Sequence, residues 1–283
     1  MLETAVVSGY ATLDYCLNLA GPFNGRNIAH IEPVDQTMWA RPGGGTLYTS
    51  LQLARYATAT YPLIWLGDDP AGQRYLQHCQ GHGLRTHAVQ VLKNKATPSC
   101  FLIYQQDGSQ GCLIDNGETG ETVGLSAAQV ETVEQADLVC ITAGPPQQTL
   151  DVLAHTKASA FVAWIAKRDE KCFPSALQEK LGERADIIFC NASERSFVNA
   201  AIHKQGLRKC TVIETRGADG ILIEAKDGFE EIAVQPLASE DTTGAGDTFA
   251  GATLGALLSG ANDIKGAVAA GEMAAHAMLK SRL

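Results

Sequence analysis

The chain has 283 residues, 45% hydrophobic and 19% charged, which supplies a sizeable core and leaves too little charge for wholesale disorder. Its net charge of −9, with no Lys/Arg cluster beyond short groups such as "AKRDEK", argues against nucleic acid or an anionic membrane as the main partner. No apolar run approaches the ~18 residues of a spanning helix, and "MLETAVVSGY" lacks a secretory signal pattern, so the sequence reads as soluble and cytoplasmic.

In chain order, the first irregular stretch is "DYCLNLAGPFNGRNIAHIEPVDQTMWARPGGG", rich in turn residues and without a helical period. Further on, "QHCQGHG" sets His78 and His82 four apart at what looks like a helix end, a structural pair rather than a metal site. A second irregular stretch, "TPSCFLIYQQDGSQGCLIDNGE", reads as a hairpin, two β-rich runs around "QQDGSQG". Together the two stretches predict one small β appendage, of a kind that closes over a crevice and excludes water. From about residue 126 the chain alternates. "SAAQVETVEQ" precedes "DLVCITA", "QQTLDVLAHTK" precedes "AFVAWIA", "PSALQEKLGER" precedes "DIIFC" and "SERSFVNAAIH" precedes "CTVIET". Short apolar strands between helices of about ten residues predict a parallel sheet with helices on its faces and ligands beyond the carboxyl ends of the strands. The eight cysteines form no C-x-x-C and read as reduced, mostly buried thiols.

The densest motif comes last. In "DTTGAGDTFAGATLGALLSG", a glycine-rich turn opens a helix expected from Thr248, with Phe249, Ala252, Ala256 and Leu257 on one face. Gly251 and Gly255, four apart, predict close packing of that helix on the sheet. Gly244 and Gly246 let backbone N–H groups converge ahead of the helix, an anion-binding nest backed by the positive end of the macrodipole. Asp247 is either an ordinary N-cap or a base aimed at an incoming hydroxyl while the Gly244, Ala245 and Gly246 amides hold a phosphoryl group. Asp241 stays an unassigned loop residue.

These residues resemble the C-terminal signature of the ribokinase, or PfkB, family of carbohydrate and nucleoside kinases. "GGGTLYTSLQLARYATATYPLIWLGDDPAGQRYL" is similar to the family's N-terminal signature, "NASE" to its N-x-x-E motif and "ETRGADG" to its T-x-G-x-x-G turn. The resemblance implies a ribokinase-like three-layer α/β/α core with a mostly parallel sheet, formed by residues 1–12, 43–96 and 118–283, plus an inserted β lid at 13–42 and 97–117. It implies ATP and Mg²⁺ as cofactors and an alcohol hydroxyl as acceptor. Asp247 then corresponds to the catalytic base, and Gly244, Ala245 and Gly246 to the anion hole. Asn191 and Glu194 correspond to the pair that organises Mg²⁺ and phosphates, Glu194 mainly through water. Thr215, Gly217 and Gly220 line the ATP side, Asp14 hydrogen-bonds acceptor hydroxyls, and Gly43 and Gly44 let backbone approach the acceptor. The resemblance also admits a homodimer through the lid edge.

Taken singly, each residue keeps an ordinary alternative. "NASE" is also a capping pattern, "RGADG" a plain turn, and Asp14 the cap of a lid strand. Two departures stand out. Tyr48 falls where the family usually has an asparagine, which makes an altered pocket or an aromatic wall, and in "WIAKR" only Arg168 matches the family's D-x-N-x-R run. A sugar acceptor leads. Tyr48, Trp39 and Phe101 lend weight to a nucleoside, unless Phe101 is lid core and Trp39 packs against the lid. A non-catalytic sensor with the kinase fold is disfavoured by the intact Asp247, and a dehydrogenase by the lack of G-x-G-x-x-G after the first strand.

Overall fold

The computed structural model describes residues 2–34, 39–117, 119–120, 123–203, 210–226, 228–237, 241–261 and 263–282. They begin with strands β1 (Thr4–Ser8), β2 (Thr12–Asn18) and β3 (Arg41–Gly43), helix α1 (Gly45–Leu53), strand β4 (Ala59–Gly67), helix α2 (Pro70–Gly81) and strand β5 (Val89–Leu92). A hairpin of β6 (Ser99–Tyr104) and β7 (Gln110–Asp115) follows. The alternating half runs α3 (Ala127–Gln135), β8 (Leu138–Ile141), α4 (Pro146–His155), β9 (Phe161–Ile165), α5 (Ser175–Arg184), β10 (Ile187–Asn191), α6 (Arg195–His203) and β11 (Thr211–Thr215). Strands β12 (Ile221–Ala225) and β13 (Gly228–Ile232) and helices α7 (Ala245–Leu258) and α8 (Ile264–Lys280) complete the order.

The larger sheet runs β13-β12-β11-β10-β9-β8-β1-β4-β5, with every strand in one direction except β12, which pairs antiparallel with both β11 and β13. Strand β8 is buried along its whole length, as a parallel strand covered on both faces must be. Successive side chains enter different layers. Val139 and Ile141 join Val6, Val162 and Trp164 beneath the side of α3 to α6, whereas Leu138 and Cys140 join Val7 and Ile213 beneath α1, α7 and α8. Each buried Val, Leu or Ile contributes about 1.5–3 kcal/mol to holding these layers together. Helix starts follow local chemistry. Asp69 caps α2 through the Gly72 N–H at 2.7 Å with Pro70 in the first turn, and Ser126 and Gln129 cap α3 reciprocally.

The smaller sheet has the order β3-β2-β6-β7. The hairpin expected around "QQDGSQG" is present, with Tyr104 paired to Gln110 so that the second strand starts inside that stretch, and Asp14 pairs with Arg41 between β2 and β3. Of the segment read as part of the appendage, 35–38 lie outside the described residues.

Two expectations about α7 are corrected. It begins at Ala245 rather than Thr248, because Gly244 takes a left-handed conformation (φ 78°, ψ 0°) and serves as N-cap. Asp247 is therefore the third helical residue and not the cap. Gly251 faces α1, and Gly255 the turn that follows α1, rather than the sheet. A Cβ at Gly251 would come within 2.6 Å of the Thr49 carbonyl oxygen, and one at Gly255 within 2.3 Å of the Tyr56 ring. The helix meets the sheet through Phe249, Ala250 and Leu254, so its small-residue stripe is turned to the neighbouring helix.

Candidate active site

One cavity of about 810 Å³ opens beyond the carboxyl ends of β9, β10 and β11, where the open-sheet rule places ligands. The end of β10 and the turn after it supply Asn191 and Glu194, and the end of β11 and its turn supply Thr215, Gly217 and Gly220. The start of α7 supplies Gly244, Ala245, Gly246 and Asp247, and the hairpin of the smaller sheet covers the opening with Leu102, Tyr104 and Gln110. Nine sequence-predicted residues from three motifs thus share one wall system.

Asp247 is 6% exposed, and its Oδ1 is buried with no hydrogen-bond partner among the described residues. The approach of α1 explains the tight fit, since a Cβ on Gly45 would lie 2.8 Å from that oxygen. The third glycine of "PGGG" is thus the one that makes room for Asp247, a role the sequence reading gave to none of the three. Around it, the first-turn amides of Gly246 and Asp247 have no carbonyl four residues back within the helix, so they remain available to an anion. The Ala245 N–H instead closes the turn on Thr242 O at 3.1 Å, which leaves Gly244, Gly246 and Asp247 as the amides of the nest.

Asn191 and Glu194 form a reciprocal cap. Asn191 Oδ1 accepts from the Glu194 N–H at 3.0 Å, and Glu194 Oε2 accepts from the Asn191 N–H at 2.9 Å. The capping alternative is therefore present in full, and it holds the Glu194 carboxyl in the cavity wall. Burial raises the Glu194 pKa, while Lys167 and the Asn191 N–H pull it back.

Lys167 was missed. In sequence only Arg168 matches the family pattern, yet Arg168 is exposed and Lys167 lines the cavity just after β9. Asp247 raises the Lys167 pKa against the opposing effect of burial, and Glu194 adds to it. A lysine right after an apolar strand, where the family carries an acidic run, was the available signal.

Asp14, Gly43, Gly44 and Tyr48 do not line this cavity. Asp14 is buried, its Oδ1 accepts from the Thr12 hydroxyl at 2.7 Å, and a Cβ on Gly43 would collide with its carboxylate. Burial pushes its pKa up to about 6 against the pull of Thr12, Arg41 and the Gly44 N–H. Tyr48 lines a neighbouring cavity of about 630 Å³ and lays its ring on Gly244, so it backs the nest and forms no wall of the large cavity. Trp39 and Phe101 both pack on Tyr15, at ring-centroid distances of 5.3 and 4.9 Å, as packing within and against the smaller sheet requires.

Asp241, unassigned from sequence, is a junction. It pairs with Arg41 at 2.5 Å, accepts from the Tyr104 hydroxyl at 3.0 Å, and lies 3.4 Å from Arg282. Burial opposes its ionisation, but Arg41, Arg282 and the Thr243 N–H outweigh it and hold its pKa below the ordinary value.

The chain matches the family model described as "pfkB family carbohydrate kinase" over residues 24–282. It belongs to the pfkB family of carbohydrate kinases. It is 24% identical to the ribokinase of Bacillus subtilis over 232 residues, 80% of this chain and 77% of the relative. It is 28% identical to the cytidine kinase of Thermococcus kodakarensis over 188 residues, 59% of this chain and 63% of the relative. In fold it is similar to the nucleoside kinase of Methanocaldococcus jannaschii, an archaeal member of the ribokinase family, with a TM-score of 0.81 at 18% identity, covering 99% of this chain and 92% of that one. This pfkB kinase therefore has the ribokinase fold and is a phosphotransferase of the carbohydrate and nucleoside kinase class, with a hydroxyl group as acceptor.

Among the described residues no group of three or more His, Cys, Asp or Glu is placed to hold a metal ion directly. With Oε2 of Glu194 engaged by the Asn191 N–H, the residues fit an ion that keeps most of its own water, which is the habit of Mg²⁺. No helix among the described residues is long and apolar enough to cross a membrane.

Proposed function

We propose that this pfkB kinase transfers the γ-phosphoryl group of ATP to a hydroxyl of a sugar or sugar derivative, with Asp247 as the general base. The observation that carries this reading is the buried, unpartnered Oδ1 of Asp247 beside the amide nest at the mouth of α7. A carboxylate oxygen left without a donor in a buried wall costs free energy, and an acceptor hydroxyl would supply the donor. Asp247 then receives the hydroxyl proton as the oxygen attacks. The Gly244, Gly246 and Asp247 amides and the helix N-terminus stabilise charge on the phosphoryl oxygens. Lys167 adds a positive charge that acts on both the Asp247 and Glu194 carboxylates. Bound Mg²⁺ would neutralise further phosphate charge, with Glu194 holding it through water. Thr215, Gly217 and Gly220 line the nucleotide side. Asp14, on β2, orients the acceptor, and the smaller sheet, within 13–42 and 97–117, excludes water as a lid.

A sugar is favoured because Tyr48, Trp39 and Phe101, the rings proposed to stack on a base, are all engaged elsewhere. The 28% identity to a cytidine kinase keeps a nucleoside acceptor as the second reading. The test is product formation from Mg·ATP on parallel sugar and nucleoside panels, with Asp247→Asn and Lys167→Met beside the parent chain. Asp247→Asn is expected to fold normally and lose turnover by ~10²–10⁴-fold, the scale of a positioned base. Lys167→Met is expected to raise the KM for ATP. Near-normal turnover in Asp247→Asn removes that residue from the role.

A further inference from the structure

Arg282 follows α8, its side chain is 11% exposed, and it does not itself line the large cavity, yet it touches the loop that builds the nest. Its Nη1 donates to the Thr243 carbonyl at 2.6 Å and to the Asp241 carbonyl at 3.3 Å, and lies 3.4 Å from the Asp241 carboxylate. Its Nη2 is 3.5 Å from the Tyr48 hydroxyl, and the guanidinium carbon stands 5.7 Å from the Tyr48 ring centre. The Tyr48 ring in turn lies against Gly244, where a Cβ would come within 2.5 Å of it. One cation thus gathers two backbone carbonyls, a carboxylate and the aromatic ring that backs the first residue of the nest.

In a trans peptide the C=O of one residue and the N–H of the next point in opposite directions. With the Thr243 carbonyl drawn to Arg282, the Gly244 N–H must turn to the other side of the loop. Arg282 and Tyr48 line the neighbouring cavity, whereas Gly244 lines the large one. A planar guanidinium suits this task, because its forked donors hold several oxygens in one plane and it stays charged at any working pH.

We propose that Arg282 is a positioning residue for phosphoryl transfer, an internal cation that fixes the 241–244 backbone so that the Gly244 amide faces the transferred group. The proposal rests on the reading of Gly244–Asp247 as the phosphoryl site. It assigns Tyr48 the part of a platform between Arg282 and Gly244 and gives the neighbouring cavity no ligand. Because the oriented amide matters most when charge builds on the phosphoryl oxygens, loss of Arg282 is felt in kcat more than in ATP binding.

The experiment compares the parent chain, Arg282→Ala, Arg282→Lys and Asp247→Asn in steady-state kinetics, and follows hydrogen exchange of the peptide spanning 241–248. Arg282→Ala is expected to lower kcat ten- to hundredfold, the scale of a small misplacement of reacting groups, with the KM for ATP changed by less than about threefold. Guanidinium chloride at tens of millimolar is expected to restore at least part of that turnover, and tetramethylammonium chloride at equal concentration none of it. Arg282→Lys, a point charge without the fork, should fall between. Exchange in the 241–248 peptide should rise in Arg282→Ala and return with guanidinium. Asp247→Asn should show neither rescue nor faster exchange, so a failure of the base assignment is read separately. Unchanged kcat in Arg282→Ala, or a loss that tracks the melting temperature without guanidinium rescue, overturns the proposal. Where no acceptor turns over, the exchange result alone decides it, and exchange equal to the parent chain counts against it.

Discussion

Asp14 is held by opposing forces whose balance depends on pH. Its carboxyl is 3% exposed, and burial raises its pKa from 3.8 to about 6 even though Thr12, Arg41 and the Gly44 N–H favour the charged form. The sign follows from linkage. Below pH ~4 the carboxyl is protonated in both folded and unfolded chains, and burial costs nothing in this respect. Between pH ~4 and ~6 the unfolded chain ionises first, so stability falls as pH rises, and above ~6 the full cost of about 3 kcal/mol persists. Asp14→Asn removes the titration. The difference in melting temperature, Asn variant minus parent, is therefore expected to grow from pH 4 to pH 6.5 and then level off. The same ionisation governs the proposed acceptor contact, so the acceptor KM of the parent should fall across that interval while that of Asp14→Asn stays flat. A melting difference that does not vary with pH would show that Asp14 titrates as an ordinary carboxylate. In the sequence Asp14 stood out only through the family resemblance. Its burial was not legible there, because it depends on Gly43 and on a β2–β3 pairing across more than twenty intervening residues.

At the scale of elements, α1 and α7 must approach closely enough for Gly45 to clear Asp247, and Gly251 permits it. Gly251→Ala improves intrinsic helix propensity by about 1 kcal/mol. Against that, the new Cβ would sit 2.6 Å from the Thr49 carbonyl oxygen and 3.0 Å from its Cα, and backbone atoms cannot rotate out of the way. Overpacking of this kind costs about 1–3 kcal/mol, so the net expectation is destabilisation by about 1–2 kcal/mol. Turnover should also fall, because any separation of the two helices carries Asp247 away from Gly45. Gly266→Ala is the control. This residue lies in the exposed first turn of α8, with its nearest neighbour, Asp263 Oδ1, at 3.4 Å, and the same change there should stabilise slightly. Denaturant midpoints for the two variants check both signs. The two glycines were visible in the sequence, but their partner was not. A missing side chain announces close packing without saying which element fills the space, and α1 lies some two hundred residues earlier in the chain. By contrast the alternation of helices and strands was legible almost element for element, since each strand is a local apolar run and several helices carry their own caps.

On the scale of the whole molecule, the smaller sheet meets the core through Asp241 and Thr243. Arg41 reaches Asp241 from β3, and Tyr104 at the end of β6 reaches both residues, with its hydroxyl 3.0 Å from Asp241 Oδ1 and 2.6 Å from Thr243 Oγ1. The loop that Arg282 holds from behind is thus tied in front to the strands that cover the cavity. These contacts span more than 130 residues, which is why the sequence showed the appendage as a break in the pattern but not where it fastens. In the proposed mechanism, a lid fastened beside the nest would keep water away from the phosphoryl group until the acceptor hydroxyl is in place. Tyr104→Phe removes one hydroxyl from this junction and leaves the ring, so global stability should drop by only about 0.5–1.5 kcal/mol, rising toward 3 if the carboxylate bond dominates. The larger expected effect is on partitioning. ADP released without acceptor, relative to ADP released with product, should rise several-fold as the lid opens more often, while nucleotide affinity changes little because the turn at Thr215–Gly220 is untouched. Coupled ADP assays with and without acceptor measure that ratio. A ratio equal to the parent's would mean that Arg41 and the rest of the small sheet hold the lid without Tyr104, and that the hydroxyl serves only to order Thr243.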